Sequence, residues 1–90
     1  MSVQVGDLAV GDVVVIDTDQ VDSLVVPGRR LRGTAFRVQV LRLGTAYPVT
    51  VSRHEPGFEL ALALAPWEIR PATPDETRAF QLDQLAGGGL

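Results

Sequence analysis

The sequence predicts an all-β domain that ends in a short helix. Thirteen of the 90 residues are valine, whose β-branched side chain favours strands. Between residues 36 and 64, apolar and polar residues alternate as they do in strands with one buried face. Residues 73–76 then read Thr-Pro-Asp-Glu, which is a typical helix start. We therefore expect five strands and one helix.

The first strand is predicted at residues 13–16, where three valines and an isoleucine follow one another. A strand without polar residues is expected to be buried on both faces. Residues 17–30 form a long, mostly polar connection, and Pro27-Gly28 near its end is a turn signal. Gly33 predicts a bend or bulge where the chain enters the second strand.

Residues 36–64 are predicted to form a three-stranded meander. A two-residue turn at Gly44-Thr45 and a four-residue loop at 54–57 place apolar residues opposite each other on one face. The first turn pairs Val38 with Val51, Val40 with Val49, Arg37 with Ser52, and Gln39 with Thr50. The second loop pairs Val51 with Leu60, Val49 with Leu62, and Tyr47 with Leu64. One buried layer of valine and leucine follows from this register.

The last third of the chain is predicted to hold a closing strand and the helix. Residues 65–67 break the third strand of the meander, and residues 68–70 can form a short fifth strand. The helix begins at the capping box of Thr73 and Glu76 and ends near Leu85. Its apolar stripe is Ala79, Leu82, Leu85 and Ala86, with Phe80 pointing elsewhere. We expect a β-barrel domain at 1–72 and a loosely attached helix with a glycine-rich tail at 73–90.

The layout resembles a known superfamily. Residues 8–15, in which a Val-Gly-Asp turn leads into a run of valines, are similar to the start of KOW-type and related domains. Five short strands, a long first loop and a break before the last strand resemble the SH3-like small barrels over residues 8–70. The resemblance implies a small SH3-like five-stranded barrel. A barrel of the OB type is the alternative.

Composition excludes several classes of protein. The chain has no cysteine, which rules out disulfides and cysteine-ligated zinc. No apolar run approaches the length of about 20 residues that a membrane-spanning helix needs. The N-terminus lacks the features of a signal peptide. We expect a single cytoplasmic domain without a cofactor.

Charge is distributed unevenly along the chain, whose net charge is −3. Residues 1–28 contain aspartate but no base, and all eight basic residues are arginine. Six arginines fall between Arg29 and Arg53 without an acid among them. This basic block either neutralises the flanking acidic segments or binds an anion, and we expect neutralisation. The use of arginine alone is typical of a GC-rich genome, bacterial or phage.

Catalysis and metal binding find little support. The nucleophile-and-base combination that covalent catalysis needs is limited to Ser52 and the only histidine, His54, and both adjoin a hairpin loop. Residues 17–22 are rich in aspartate, but a calcium loop needs a glycine at its sixth position, where Asp22 stands. We therefore expect no enzyme activity and no metal site.

Two surfaces are candidates for binding. The outer face of the meander and its edges carry arginine and small polar residues, and Trp67 is the only tryptophan. The predicted partner-binding residues are Arg37, Gln39, Arg42, Thr50, Ser52, Arg53 and Trp67. Trp67 could stack on a base, cage a cation with Tyr47 or plug the barrel end; the scarcity of aromatics favours the plug.

The second surface is a row of alanines at 61, 63 and 65, which suits close packing of a helix or a second copy of the chain. The function predicted from these features is a non-catalytic binding module, a bacterial or phage accessory protein that docks on another protein. The alternative is a nucleic-acid- or ribosome-binding barrel that uses the Arg29–Arg53 block.

Overall fold

The computed structural model describes residues 5–19, 31–55 and 57–88. Its elements are strands β1 (Val13–Ile16), β2 (Ala35–Leu41), β3 (Val49–Glu55), β4 (Phe58–Leu64) and β5 (Ile69–Pro71), followed by helix α1 (Pro74–Gly88). The strands form one antiparallel sheet in the order β4-β3-β2-β1-β5. The prediction of five strands and a C-terminal helix is confirmed. The predicted closed barrel is not confirmed, because β4 and β5 are the two edges of the described sheet and do not pair.

One face of the sheet carries the hydrophobic core, to which every strand contributes. Aliphatic side chains dominate it, and Phe36 is its only aromatic member among the described residues. Leu8 and Leu41 pack against its margin. The core residues are Val14, Ile16, Leu31, Phe36, Val38, Val49, Val51, Leu60, Leu62, Leu64 and Ile69.

Strand β1 matches its prediction. Val14, Val15 and Ile16 are all buried, so the strand is covered on both faces. After the long connection the chain returns through Gly33, whose φ of +85° lies in the left-handed region that glycine adopts without strain. The N–H of Gly33 donates to the carbonyl of Ile16 at 2.8 Å. The predicted bend at Gly33 is confirmed.

The β2–β3 hairpin follows the predicted register only in part. The pairs Arg37–Ser52 and Val38–Val51 are confirmed. Beyond them the register shifts by one residue, so that Val40 lies opposite Thr50 and Leu41 opposite Val49. The predicted pairs of Val40 with Val49 and of Gln39 with Thr50 are therefore wrong.

A bulge and a wide loop together cause this shift. The irregularity between Val38 and Val40 places one extra residue in β2, which moves Val40 outward and Leu41 to the margin of the core. The two-residue turn at Gly44-Thr45 is also wrong. The strands end at Leu41 and Val49, and the N–H of Arg42 donates to the carbonyl of Pro48 at 2.7 Å, which closes a wider loop.

The β3–β4 hairpin is offset by two residues from the prediction. Val51 lies opposite Leu62 and Val49 opposite Leu64. Glu55 pairs with Phe58, so the connection has two residues rather than four. An offset of two leaves every side chain on its predicted face, because side chains alternate with a period of two. The buried layer therefore survives, whereas Tyr47 loses its predicted partner and is 57% exposed.

A 3₁₀ turn at Pro66–Glu68 separates β4 from β5. Glu68 is buried, and its carboxylate accepts the N–H of Ala65 at 2.8 Å. Its carbonyl accepts the N–H of Asp17 at 2.8 Å, which guides β5 to its place beside β1. The predicted break is confirmed, and the closing strand, predicted at residues 68–70, lies at Ile69–Pro71 with Ile69 opposite Ile16.

Helix α1 begins as predicted but presents a different face. The N–H of Glu76 donates to Oγ1 of Thr73 at 3.1 Å, and Oε1 of Glu76 accepts the N–H of Thr73 at 2.9 Å. The capping box is therefore confirmed. Phe80 is buried, however, whereas Leu82 and Leu85 of the predicted stripe are exposed. The helix packs against β2 and β3 through an aromatic ring and polar groups, which a search for aliphatic periodicity does not detect.

Candidate functional site

Four of the predicted partner-binding residues lie on β2, the loop after it and β3. Arg37, Gln39 and Arg42 are exposed, and Thr50 is half-buried. The guanidinium of Arg37 lies 5.7 Å from the centre of the Phe80 ring. In the described part of the chain, neither Arg37 nor Arg42 has an ion-pair partner. These two arginines are therefore available to a partner molecule.

The other two predicted residues on β3 are not available in this way. Ser52 is buried, and the side chain of Arg53 is only 14% exposed. One terminal nitrogen of Arg53 donates to the carbonyl of Ala35 at 3.1 Å, and the other donates to Oδ2 of Asp83 at 2.9 Å. Arg53 thus connects the sheet to helix α1. The prediction that Arg53 binds a partner stays a prediction, and its hydrogen bonds to Ala35 and Asp83 favour a structural role.

Aromatic rings surround the Arg53 guanidinium. It lies 5.9 Å from the ring centres of both Phe36 and Phe80, a distance at which a cation is attracted to the ring face. Its Nε is 3.4 Å from Oε1 of Glu55. A core aromatic, a helix aromatic and two carboxylates therefore share one cation. The hairpin pairing predicts that Arg53 lies across from Phe36, and the structure confirms this contact. The contacts with Phe80 and Asp83 gave no direct sequence signal, because those two residues are distant from Arg53 in the chain.

Other described arginines also have acidic neighbours. Arg32 lies 3.3 Å from Asp19 and 3.8 Å from Asp17, across the long connection between β1 and β2. These contacts agree with the expectation that the basic block neutralises the acidic N-terminal segment. Arg29 and Arg30 lie outside the described residues, so their part in that expectation stays a prediction.

Arg70 and Glu76 form a two-bond ion pair where β5 leads into α1. The guanidinium nitrogens donate to the two carboxylate oxygens at 2.7 and 2.8 Å. This hydrogen bonding, helped by the N–H of Thr73, lowers the pKa of Glu76 to about 2. The same contact raises the pKa of Arg70 above its ordinary value. The pair therefore strengthens the capped start of the helix.

Trp67 lies in the 3₁₀ turn and is 54% exposed. The expectation that it plugs a barrel end is wrong, because half of its surface remains in contact with solvent. Within this turn the buried side chain is Glu68, whose carboxylate accepts the N–H of Ala65. Trp67 and Tyr47 are both exposed aromatic side chains that a partner could bury.

An open cleft of about 350 Å³ lies between the start of β2 and helix α1. Its walls include Thr34, Ala35 and Ala79, and its charged lining comes from Arg53, Glu76 and Asp83. All three charged groups already make ion pairs with residues of this chain. The cleft therefore carries little unsatisfied charge with which to hold a small charged ligand.

The alanine row divides in the structure. Ala65 is buried beside the 3₁₀ turn, while Ala61 and Ala63 on β4 are exposed. Helix α1 packs on β2 and β3 instead, so the expectation that it covers this face is wrong for the two exposed alanines. The expectation that a second copy of the chain covers this face stays a prediction.

The side chains that the sequence offers for catalysis do not converge on a site. Ser52 is buried, whereas the His54 side chain next to it is exposed. Among the described residues, no three histidine, aspartate or glutamate side chains lie together as a metal site would require. No helix in the described ranges has the length and apolar character needed to cross a membrane.

Comparison with known proteins leaves the family open. The chain matches no protein-family model, no curated protein and no solved structure. The structure defines the protein by its fold alone. It is a five-stranded antiparallel sheet with a C-terminal helix, and Arg53 connects the two through hydrogen bonds.

Proposed function

We propose that this protein is a non-catalytic module that docks on another protein, as a bacterial or phage accessory subunit would. One observation carries the proposal. Among the described residues, Arg32, Arg53 and Arg70 are paired with acids of the same chain, while several large apolar side chains remain exposed. Exposed aromatic and aliphatic groups suit contact with a protein better than contact with a polyanion, and the three paired arginines offer a polyanion less free charge.

The proposed fold is SH3-like in its layout. A long connection follows β1, a 3₁₀ turn precedes β5, and β5 returns to pair with β1. All three features support the resemblance seen in the sequence. The sheet is nevertheless open in the described residues, so the resemblance concerns strand order and connections rather than closure. Small domains of this kind expose their loops for recognition of partners.

The loop at residues 42–48 is the proposed docking surface. It carries Arg42, Leu43 and Tyr47, all of them exposed, and is closed by the hydrogen bond from Arg42 to Pro48. Tyrosine and arginine are enriched among the residues that contribute most to binding at protein interfaces. The loop joins two core strands, so its ends are anchored in the sheet while its central residues are exposed.

A photo-crosslinking amino acid in place of Tyr47 tests the proposal. In cells of the source organism, it should join the chain repeatedly to one protein, whereas the same group at the exposed Asp75 of α1 should not. That protein, once purified, should bind the wild-type chain, and Tyr47→Ala should weaken the binding at least tenfold in calorimetry. Equal crosslinking from both positions, or unchanged binding by the variant, would contradict the docking surface.

Nucleic-acid binding is the second candidate, and Arg37 and Arg42 are the observation in its favour. Both are exposed and, among the described residues, lack an acidic partner. Contacts to phosphates release counterions, so binding to mixed RNA or DNA should weaken steeply as salt rises. The docking proposal expects no retention of nucleic acid at physiological salt. Tight, salt-sensitive binding that the double variant Arg37→Gln/Arg42→Gln reduces would instead establish the nucleic-acid function.

A further inference from the structure

The two edges of the sheet differ in how well they are protected. Strand β5 has only three residues, one charged and one a proline, and short edges with charge or proline resist pairing with other chains. Strand β4 has seven residues, including a single charge at Glu59 and no proline. Its seven pairs with β3 run without a bulge. Of the two edges, β4 is therefore the one open to another strand.

The backbone of β4 has one row of groups to offer. Among the described residues, β3 is its only hydrogen-bonded neighbour, so alternate N–H and C=O groups point away from the sheet. The core side chains of β4 are also less completely covered than those of the other strands. Leu60 and Leu62 retain 7% and 8% exposure, while every other residue of the core is at most 1% exposed. A strand added beside β4 would complete the cover over these two leucines.

The sequence of β4 suits a second copy of itself. Residues 58–64 read Phe-Glu-Leu-Ala-Leu-Ala-Leu, which is nearly symmetric about Ala61. In an antiparallel pair with its two-fold axis at Ala61, Leu60 lies opposite Leu62 and Phe58 opposite Leu64. Glu59 lies opposite Ala63, so the pairing puts no like charges together. Interfaces with two-fold symmetry require this kind of self-complementary surface.

We propose that two copies of this chain associate through β4, with β4 antiparallel to its counterpart and Ala61 on the two-fold axis. The two five-stranded sheets then form one continuous sheet of ten strands. Ala61 and Ala63 are exposed on the face opposite the core, and their short side chains place no bulky group beside the side chains of the second copy on that face. The association is independent of the proposed docking function, whose loop lies in a different hairpin.

Matched lysine variants test this arrangement. Sedimentation of the wild-type chain from micromolar to millimolar concentration should show a monomer–dimer equilibrium. Ala61→Lys places two ammonium groups opposite each other at the axis and should raise the dissociation constant at least about tenfold. Ala63→Lys places each ammonium opposite a glutamate, Glu59 of the second copy, and should preserve the dimer. Both sites are exposed, so at a protein concentration where the wild-type chain is monomeric both variants should unfold at the wild-type urea concentration.

The outcomes separate clearly. A wild-type chain that stays monomeric over the whole range would overturn the proposal, as would a dimer that neither variant affects. Equal weakening by the two variants would overturn the two-fold register, because only that register sets Ala61 against itself and Ala63 against an acid. None of these outcomes bears on the crosslinking test at Tyr47, so failure here and failure of the docking function are distinguishable.

Discussion

The side-chain amide of Gln84 hydrogen-bonds to both backbone groups of His54. Its Oε1 accepts the His54 N–H at 2.6 Å, and its Nε2 donates to the His54 carbonyl at 3.2 Å. The pairing of β2 with β3 begins at Arg37 and Ser52, so among the described residues no residue of β2 is paired with His54. Gln84 thus supplies to the end of β3 the two hydrogen bonds that a neighbouring strand would otherwise supply.

We expect Gln84→Leu to lower the free energy of unfolding by about 1–3 kcal/mol, because it leaves the His54 N–H and carbonyl without this partner in a partly buried position. Gln81→Leu is the matched control, since Gln81 is exposed on the same helix. Urea unfolding followed by circular dichroism measures both. Equal stability of the two variants would show that the amide contact does not hold the helix.

Phe80→Ala should cost about 3 kcal/mol, at the lower end of the usual range for a buried phenylalanine because the helix can detach in part. It removes the ring that packs on the sheet beside Arg37 and Arg53. Leu82→Ala, two positions along and exposed, should change stability little. Helix content and the urea midpoint give the result. A larger loss at Leu82 would mean that the helix packs through its aliphatic stripe instead.

The register of β3 and β4 predicts unequal effects at Leu64 and Tyr47. Leu64→Ala should destabilise the protein by about 2–5 kcal/mol, because Leu64 is buried opposite Val49. Tyr47→Ala should cost far less, since that side chain is mostly exposed. Chemical denaturation of each variant decides the matter. Comparable losses would favour the register in which Leu64 lies opposite Tyr47.

The Arg70–Glu76 pair predicts a dependence of stability on pH. Because the pKa of Glu76 is lowered to about 2 in the folded chain, the carboxylate stabilises the fold above its ordinary pKa of 4.5. That contribution falls as the pH drops from 4.5 toward 2, where the folded-state group also becomes protonated. Wild type should therefore melt at a higher temperature than Glu76→Gln at pH 7, and the difference should shrink by pH 2.5.

Asp75→Asn controls for the loss of one negative charge at the start of the helix. The difference in melting temperature between wild type and Asp75→Asn should change far less between pH 7 and pH 2.5, because both hydrogen bonds from Arg70 go to Glu76. A gap for Glu76→Gln that stays constant over this pH range would contradict the pairing. Calorimetric scans at both pH values provide the measurement.

Much of the fold could be predicted because its signals are local. The run of valines at β1, the capping box of Thr73 and Glu76, and the bend at Gly33 each depend on a few neighbouring residues. Alternation along β3 and β4 also assigned the buried face correctly. That assignment survived a pairing error of two residues because side chains on a strand repeat every two positions.

The candidate site was less predictable. Arg37 and Arg42 are exposed as expected, whereas Ser52 and Arg53, assigned to the same surface, are covered. The difference arises from helix α1, which packs where those two residues lie. Its contacts come from Phe80, Asp83 and Gln84, two of which are polar residues of the kind that also occupy exposed helix faces.

The sequence by itself determined the strand content, the helix start and the buried face, since each follows from conformational preference or periodicity over a short stretch of chain. The tertiary structure decided the exact register, the bulge before Val40, the packing face of α1 and the open edge at β4. These depend on which distant surfaces meet and how tightly they fit. A bulge or a two-residue offset leaves the local pattern nearly unchanged, so only the packed sheet distinguishes between the alternatives.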